Sequence, residues 1–152
     1  MKILDNITPE CMLCDLQARD KKGIIEELAA PVAQAAGVKV EDMVRVLLDR
    51  ERLGSTGVGN GIGIPHGKMR ELSKLHLGFG ISRQGVDFES IDGKPTNIFF
   101  LLAVPTDSAG LHLTMLAQIS RLLRNEEFRK RLMGCDSPQE VAQAIGEVDQ
   151  EF

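Results

Sequence analysis

The stretch that decides the fold is Asn97-Ile-Phe-Phe-Leu-Leu-Ala-Val104, which the turn-forming residues Pro105-Thr-Asp107 follow. The run is continuously apolar from Ile98 onward and holds two phenylalanines, a composition typical of a central strand buried on both faces. Its apolar part spans seven residues, whereas a helix that crosses a bilayer needs about 20. The sequence therefore predicts a strand at the centre of a globular domain, with no membrane insertion.

A second strand is predicted just before this run. Between positions 75 and 81, apolar residues alternate with histidine or glycine, which is the period-two pattern of a strand. The apolar face of this strand is Leu75, Leu77, Phe79 and Ile81. Asp92-Gly93, between the two strands, is a turn signal. Because a hairpin joins antiparallel strands, the sheet is expected to be mixed rather than all parallel.

Helical patterns surround the two strands. Helices are predicted over residues 21 to 36, 40 to 52, 109 to 124 and 126 to 133, and a last one begins at the capping box Ser137-Pro-Gln-Glu140. Pro31 lies inside the first helix and predicts a kink or a break there. The apolar face of the third helix is assigned to Leu113, Leu116, Ala117, Ser120 and Leu123.

The interleaving of helices and strands predicts an α/β fold, a three-layer sandwich with a mixed central β-sheet of about five strands flanked by helices. The 152 residues are expected to form one domain over 1–152. A net charge of −4 argues against nucleic-acid binding, because that binding depends on a basic surface.

The ends of the chain and its cysteines favour a cytoplasmic protein. Asp5 interrupts the N-terminus before an apolar run develops, so no signal peptide is expected. The three cysteines are an odd number without the spacing of a disulfide framework, which favours a reducing compartment. Cys11 and Cys14 form a lone C-x-x-C; two ordinary semi-buried thiols are favoured over a metal or redox site, and their role stays open.

The functional candidate is a loop rich in glycine, Arg50-Glu-Arg-Leu-Gly-Ser-Thr-Gly-Val-Gly-Asn-Gly-Ile-Gly-Ile-Pro-His-Gly-Lys68. Six of the fifteen glycines of the chain fall within it. Such crowding indicates a backbone that adopts positive φ or approaches a ligand closely. Backbone amides, hydroxyls and cations suit an anion the size of phosphate. The groups that could bind one are Arg50, Ser55, Thr56, Asn60 and Lys68.

Several known motifs fail in this loop. The P-loop motif fails at Ile62 and at Met69, the dinucleotide motif also fails at Ile62, and the nucleophile-elbow motif fails at Leu53. The three histidines of the chain lack the spacing of a zinc site. No metal and no cofactor is therefore predicted.

His66 is the reactive group of the loop. Pro65 restricts the backbone before it, so the imidazole is presented from a stiff point. An imidazole nitrogen is a good nucleophile at neutral pH and can carry a phosphoryl group. The alternative is a loop histidine whose ring is satisfied by a backbone carbonyl.

His112 is the second candidate, in the first turn of the third helix. The positive end of the helix dipole there favours a neutral imidazole, which can donate to a phosphate oxygen or orient His66. A partly buried polar residue at a helix start is an equally good interpretation. His76, on the strand face opposite the apolar residues, is interpreted as a solvated or incidentally paired histidine.

These residues resemble a known family. The segment Gly54-Ser-Thr-Gly-Val-Gly-Asn-Gly-Ile-Gly-Ile-Pro-His-Gly-Lys68 is similar to the active-site signature of the fructose/mannitol-type enzyme IIA components of the bacterial phosphoenolpyruvate-dependent phosphotransferase system (PTS EIIA type-2). Within it, the chain resembles the nitrogen-regulatory branch. The resemblance covers nearly the whole chain, including the Arg-Glu-x-x-Gly lead at Arg50 and the histidine of Leu111-His-Leu113. Gly63 departs from it, because alanine is expected there in many members.

The resemblance implies a mechanism. A histidine-containing phosphocarrier protein donates a phosphoryl group to Nε2 of His66, without metal or nucleotide. Arg50 and His112 match the arginine and second histidine of the family's active site, and Ser55, Thr56 and Asn60 match its loop positions. The added charge is expected to alter a rim of Val58, Ile62 and Ile64 on which a partner docks.

The output is expected to be regulatory, through phosphorylation-dependent binding of transporters or kinases in nitrogen or potassium control. The first alternative is a sugar-specific IIA component that passes the phosphoryl group to a IIB domain. The second is a binding module that responds to a small anion and is never phosphorylated. A hydrolase with His66 as general base is disfavoured, because the loop carries no matching nucleophile motif.

Overall fold

The described part of the chain, residues 2–108 and 110–149 of a computed structural model, is built around a six-stranded mixed sheet. The strands are β1 Met12–Leu13, β2 Gly57–Gly59, β3 Ile62–Gly63, β4 His66–Met69, β5 His76–Val86 and β6 Thr96–Pro105. The helices are α1 Lys21–Ala36, α2 Val40–Arg52, α3 Leu111–Leu122, α4 Glu126–Met133 and α5 Pro138–Asp149. The predicted α/β sandwich is confirmed, with helices flanking the sheet.

Strand β6 organises the sheet, as its apolar sequence predicts. It pairs antiparallel with β5 along one edge, where Phe79 lies opposite Phe100. Along its other edge it pairs in parallel with β3 and then with β4, so that Ile62 lies beside Ile98 and His66 beside Leu102. The side chains from 98 to 105 are all buried. A run without polar alternation is therefore stable here, because both of its faces are covered.

Glycines let the helices approach one face of the sheet. A Cβ on Gly78 would lie 2.7 Å from Cγ2 of Val32, and a Cβ on Gly80 would lie 2.7 Å from Cδ2 of Leu28. Both contacts are with α1, so the glycine face of β5 is buried beneath this helix. On the opposite face, the rings of Phe79 and Phe100 meet edge to face at 5.1 Å. Both faces of the sheet therefore contribute to the core.

Helix ends follow local signals in the sequence. Oδ1 of Asp20 accepts from the backbone N–H of Gly23 and begins α1, and Oγ of Ser137 accepts from that of Glu140 at the predicted capping box. Gly37 ends α1 with φ of 73°. None of the helices in the described ranges is long and apolar enough to cross a membrane.

The structure contradicts a break at Pro31 and most of the buried face expected for α3. Pro31 does not break α1, which runs without interruption from Lys21 to Ala36; buried residues on both sides of the proline, such as Leu28 and Val32, hold the helix against the sheet. The buried face of α3 is also different from the predicted one. It consists of Met115, Gln118, Ile119 and Leu122. Of the predicted face, Leu123 is buried and Leu116 is partly buried against the core, whereas Leu113 is 62% exposed.

Candidate functional site

A cavity of about 330 Å³ lies where the end of α2, strand β4 and the start of α3 meet. Its lining residues are Val46, Asp49, Arg50, Leu53, His66, Gly67, Lys68, Leu102, Val104 and His112. Four of the residues singled out from the sequence therefore converge here, two histidines and two cations. The convergence joins positions that are far apart in the chain, because β6 brings β4 beside the segment that leads into α3.

His66 begins β4 and is the central group of the cavity. Its Nδ1 lies 2.8 Å from the carbonyl oxygen of Ile64. A carbonyl only accepts hydrogen bonds, so Nδ1 carries the proton and Nε2 keeps its lone pair. Burial lowers the pKa of His66; the bond to Ile64 opposes this, and the nearby charge of Arg50 adds to it. The ring is therefore a neutral imidazole at physiological pH. The backbone-carbonyl partner considered from the sequence is present, and it leaves the nucleophilic nitrogen available.

Arg50 occupies the last turn of α2 and is half-buried in the wall of the cavity. Its Nη1 donates to the carbonyl oxygen of Gly54 at 2.9 Å, which ties the guanidinium to the start of the glycine loop. Gly54 has φ of 148°, in the region that favours glycine. The bond uses one guanidinium donor, and an arginine has five, so several donors remain for an anion.

His112 is the second residue of α3, in the first turn as predicted. The helix begins after Gly110, whose φ is 83°. Nδ1 of His112 is buried and has no hydrogen-bond partner among the described residues. Burial lowers the pKa of His112, and the charge of Lys68 lowers it further. The imidazole is therefore neutral and faces a cavity that holds a second imidazole and two cations.

Three of the loop residues expected at the site do not line the cavity. Oγ of Ser55 donates to the carbonyl of Phe88 at 2.7 Å. The hydroxyl of Thr56 donates to the carboxylate of Glu51. Asn60 has φ of 58° in the turn between β2 and β3, and it lines a different cleft, with Gly61, Asn97 and α4 residues. The hydroxyls of Ser55 and Thr56 thus help to shape the loop, and Asn60 contributes through its backbone conformation.

The apolar rim differs from the expected one. Ile62 and Ile64 are buried in the core, because β3 lies inside the sheet. Instead, Leu53 is 85% exposed on the edge of the cavity, and Leu113 is exposed beside His112. We call Leu53 and Leu113 the apolar rim. Val58, also expected in the rim, is exposed on strand β2 of the loop.

One residue at the base of the loop was missed in the sequence. Glu51 follows Arg50 and is buried, although it is charged. It bonds to Thr56 and forms an ion pair with Lys21. In the sequence it appeared as the glutamate of the Arg-Glu-x-x-Gly lead, but a lone glutamate at a helix end does not reveal whether it is buried.

Comparison with known proteins shows the family to which the chain belongs. Residues 5–148 match the family described as "Phosphoenolpyruvate-dependent sugar phosphotransferase system, EIIA 2". A nitrogen regulatory protein of Bradyrhizobium diazoefficiens is 40% identical over 141 residues, which cover 93% of this chain and 92% of that protein. A fructose-specific EIIA component of Haloferax volcanii is 37% identical over 147 residues, which cover 95% of this chain and 96% of that one.

Solved structures give the same result. The crystal structure of nitrogen regulatory protein IIA-Ntr from Neisseria meningitidis superposes with a TM-score of 0.88 at 30% identity and covers 93% of this chain and 97% of that one. The family match extends over 144 positions, from residue 5 to residue 148, and so includes every residue that lines the cavity around His66. The chain therefore belongs to the EIIA 2 family of the phosphoenolpyruvate-dependent sugar phosphotransferase system.

Proposed function

We propose that the chain is a phosphohistidine carrier that accepts a phosphoryl group on Nε2 of His66. The observation that carries this proposal is the hydrogen bond from Nδ1 of His66 to the carbonyl of Ile64, because it leaves Nε2 unprotonated in a neutral ring. The donor is a histidine-containing phosphocarrier protein. The lone pair of Nε2 forms the new N–P bond as the N–P bond of the donor breaks, and the donor ring keeps that electron pair.

Cations and neutral donors around His66 stabilise the transferred group. A phosphoryl group in flight spreads negative charge over three equatorial oxygens, so catalysis depends on positioned donors. Arg50, Lys68 and His112 share the cavity with His66 and fill this role. His112 is neutral, so its one N–H group can donate a hydrogen bond, and the ring carries no additional proton that it could transfer to a neighbouring group.

The apolar rim favours a protein as donor. Leu53 is large, exposed and lines the cavity, and Leu113 is an exposed leucine that directly follows the cavity residue His112. Exposed apolar side chains beside a polar centre are typical of a protein-binding surface. A small phosphorylated metabolite would leave them in water. We therefore assign the rim to docking of the phosphocarrier protein.

The output is regulatory. Phosphorylation places at the cavity a phosphoryl group that itself carries about 1.5 to 2 negative charges, next to the rim on which partners dock. Targets such as transporters or sensor kinases then gain or lose affinity according to the phosphorylation state. The similarity to nitrogen regulatory proteins, at 40% and 30% identity, supports this output over sugar transport.

The test is intact-mass measurement after incubation with phosphoenolpyruvate, enzyme I and the phosphocarrier. We expect one acid-labile phosphoryl adduct on the wild-type chain and none on His66→Gln. His76→Gln is the matched control, because His76 does not line the cavity; this variant should accept the group as the wild type does. If the wild-type chain forms no adduct, the carrier proposal is refuted and the anion-responsive binding module is the alternative that remains. An adduct on His66→Gln would refute His66 as the acceptor.

A second candidate is a sugar-specific IIA component, favoured by the 37% identity with a fructose-specific EIIA component. The measurement that separates the two is onward transfer from phosphorylated His66 to a fructose- or mannitol-type IIB domain. The regulatory proposal expects the phosphoryl group to stay on the chain. Efficient transfer to the IIB domain would establish the sugar branch instead.

A further inference from the structure

A buried carboxylate lies at the base of the glycine loop. Glu51, near the end of α2, has a side chain that is 4% exposed. Its Oε1 lies 2.7 Å from Nζ of Lys21 and accepts from the backbone N–H of Thr56 at 3.1 Å. Its Oε2 accepts from the hydroxyl of Thr56. A buried charge is costly unless it is paired and hydrogen-bonded. Glu51 meets both conditions, because Lys21 pairs with it and Thr56 donates two hydrogen bonds to it.

Lys21 holds this carboxylate from the side of α1. It is the first residue of that helix, and its Nζ lies 5.0 Å from the centre of the Phe88 ring. The ammonium is thus positioned by an aromatic face as well as by Glu51. Glu51 of α2 therefore contacts both Lys21 of α1 and Thr56 of the loop.

From Glu51, a series of hydrogen bonds reaches the reactive histidine. Glu51 holds both the N–H and the hydroxyl of Thr56. The carbonyl of Thr56 accepts from the N–H of Ile64 at 3.0 Å. The carbonyl of Ile64 accepts from Nδ1 of His66 at 2.8 Å. The position of the carbonyl that selects the tautomer of His66 therefore depends on Thr56, and Thr56 depends on Glu51.

We propose that Glu51 is a positioning residue, which orients the Ile64 carbonyl through Thr56 and thereby keeps the proton of His66 on Nδ1. Glu51 does not line the cavity, so it acts through these bonds and not by contact with the phosphoryl group. The consequence for phosphoryl transfer rests on the proposed function of His66. The consequence for the tautomer does not, because it is a property of the isolated chain.

The test is nitrogen NMR of ¹⁵N-histidine-labelled protein, at a pH where His66 is neutral, because the shifts of the two ring nitrogens report which one is protonated. In Glu51→Gln we expect the ratio of the Nδ1–H to the Nε2–H form to fall about fivefold, since roughly one hydrogen bond's preference is lost. Thr56→Val, which removes only the hydroxyl, should shift the ratio in the same direction. Thr56→Ser, which retains a hydroxyl, should restore it.

Glu27→Gln is the matched control. Glu27 is another partly buried carboxylate on a helix that holds backbone amides, those of Gln17 and Ala18, but outside the loop. The Glu27→Gln variant should leave the tautomer of His66 unchanged. Wild-type ratios in both Glu51→Gln and Thr56→Val would overturn the proposal, and so would an equal fall in Glu27→Gln. If Glu51→Gln does not fold, Thr56→Val decides alone.

The rate of phosphoryl acceptance is the second readout. Glu51→Gln should accept the group more slowly, and by the same factor as the loss of the Nδ1–H form. A wild-type chain that never becomes phosphorylated would refute the proposed function but leave the tautomer result standing. An altered tautomer ratio with an unaltered rate would refute the positioning role in transfer.

Discussion

At the residue scale, the proposed phosphoryl transfer depends on the two ring nitrogens of His66. Nδ1 is committed to the Ile64 carbonyl, and burial favours the neutral ring. Nε2 is therefore the nitrogen with a lone pair. Because β4 pairs with β6, the strand also fixes the backbone on which this ring is carried. Under the proposed function, the strand thus holds the acceptor ring in a fixed orientation.

The pH at which His66 titrates is a first prediction. Burial and the charge of Arg50 lower the pKa of His66, so its NMR titration midpoint should lie below the ordinary histidine value of roughly 6.5. As pH falls through that midpoint, Nε2 becomes protonated, and phosphoryl acceptance should fall about tenfold per pH unit. At pH values above the midpoint the ring is already neutral, so the acceptance rate should no longer depend on the protonation of His66.

Replacement of Arg50 tests whether its positive charge contributes to the lowered pKa of His66. Arg50→Gln removes a positive charge that opposes the imidazolium, so the midpoint of His66 should rise. Arg52→Gln is the matched control, because Arg52 is exposed and pairs with Asp49 at the surface. An unchanged midpoint in Arg50→Gln, or an equal rise in both variants, would contradict the assigned electrostatic effect.

At the element scale, the cavity depends on how closely α2 approaches β4. A Cβ on Gly67 would lie 2.6 Å from Cγ1 of Val46, closer than side chains can pack. Gly67 is therefore the position that lets α2 bring Arg50 alongside His66. Its φ is not in the positive region, so the requirement is one of space and not of backbone conformation.

A second prediction follows for Gly67→Ala. Overpacking of this kind typically costs about 1–3 kcal/mol, so the urea midpoint should fall by the equivalent amount. Val46→Ala in the same chain should restore part of the loss, because it removes the atom that clashes. Gly134→Ala is the control, since its Cβ would lie 3.5 Å from the nearest atom. A double variant no more stable than Gly67→Ala would show that the clash is not the cause.

The elements also show where sequence patterns were sufficient. The bounds of α1 and α4 agree with their predicted ranges, because capping residues and apolar spacing act locally. The buried face of α3 was predicted wrongly, because apolar residues occur on two sides of this helix. Met115 and Ile119 meet the core, while Leu113 remains exposed for the rim. Periodicity alone does not say which apolar side a protein leaves in water.

At the scale of the whole molecule, the first and last described elements of the chain are joined. Asp149, at the end of α5, is buried, and its two carboxylate oxygens accept from the backbone N–H groups of Ile3 and Leu4 at 2.8 and 2.9 Å. These amides belong to the short 3₁₀ turn Ile3–Asn6, the first described element of the chain. The last helix therefore holds the first turn against the core.

A third prediction is that Asp149→Asn destabilises the protein. The amide nitrogen of asparagine would face a backbone donor, so one buried N–H would lose its partner at a cost of about 1–3 kcal/mol. Urea unfolding should detect the loss, and hydrogen exchange should quicken at Ile3 and Leu4. Glu127→Gln, an exposed acid-to-amide change on α4, is the control. Unchanged exchange at both amides would refute this role of Asp149.

Local patterns in the amino-acid sequence were enough to predict the central strand, most helices, the α/β class and a histidine-bearing glycine loop, because hydrophobic period, capping and glycine content act over a few residues. They were not enough to separate Lys68, which lines the cavity, from Ser55, Thr56 and Asn60, which shape the loop. That separation, like the burial of Glu51, depends on contacts between segments distant in the chain, such as those of Ser55 with Phe88 and of Glu51 with Lys21. Such contacts exist only once β6 and the helices have assembled.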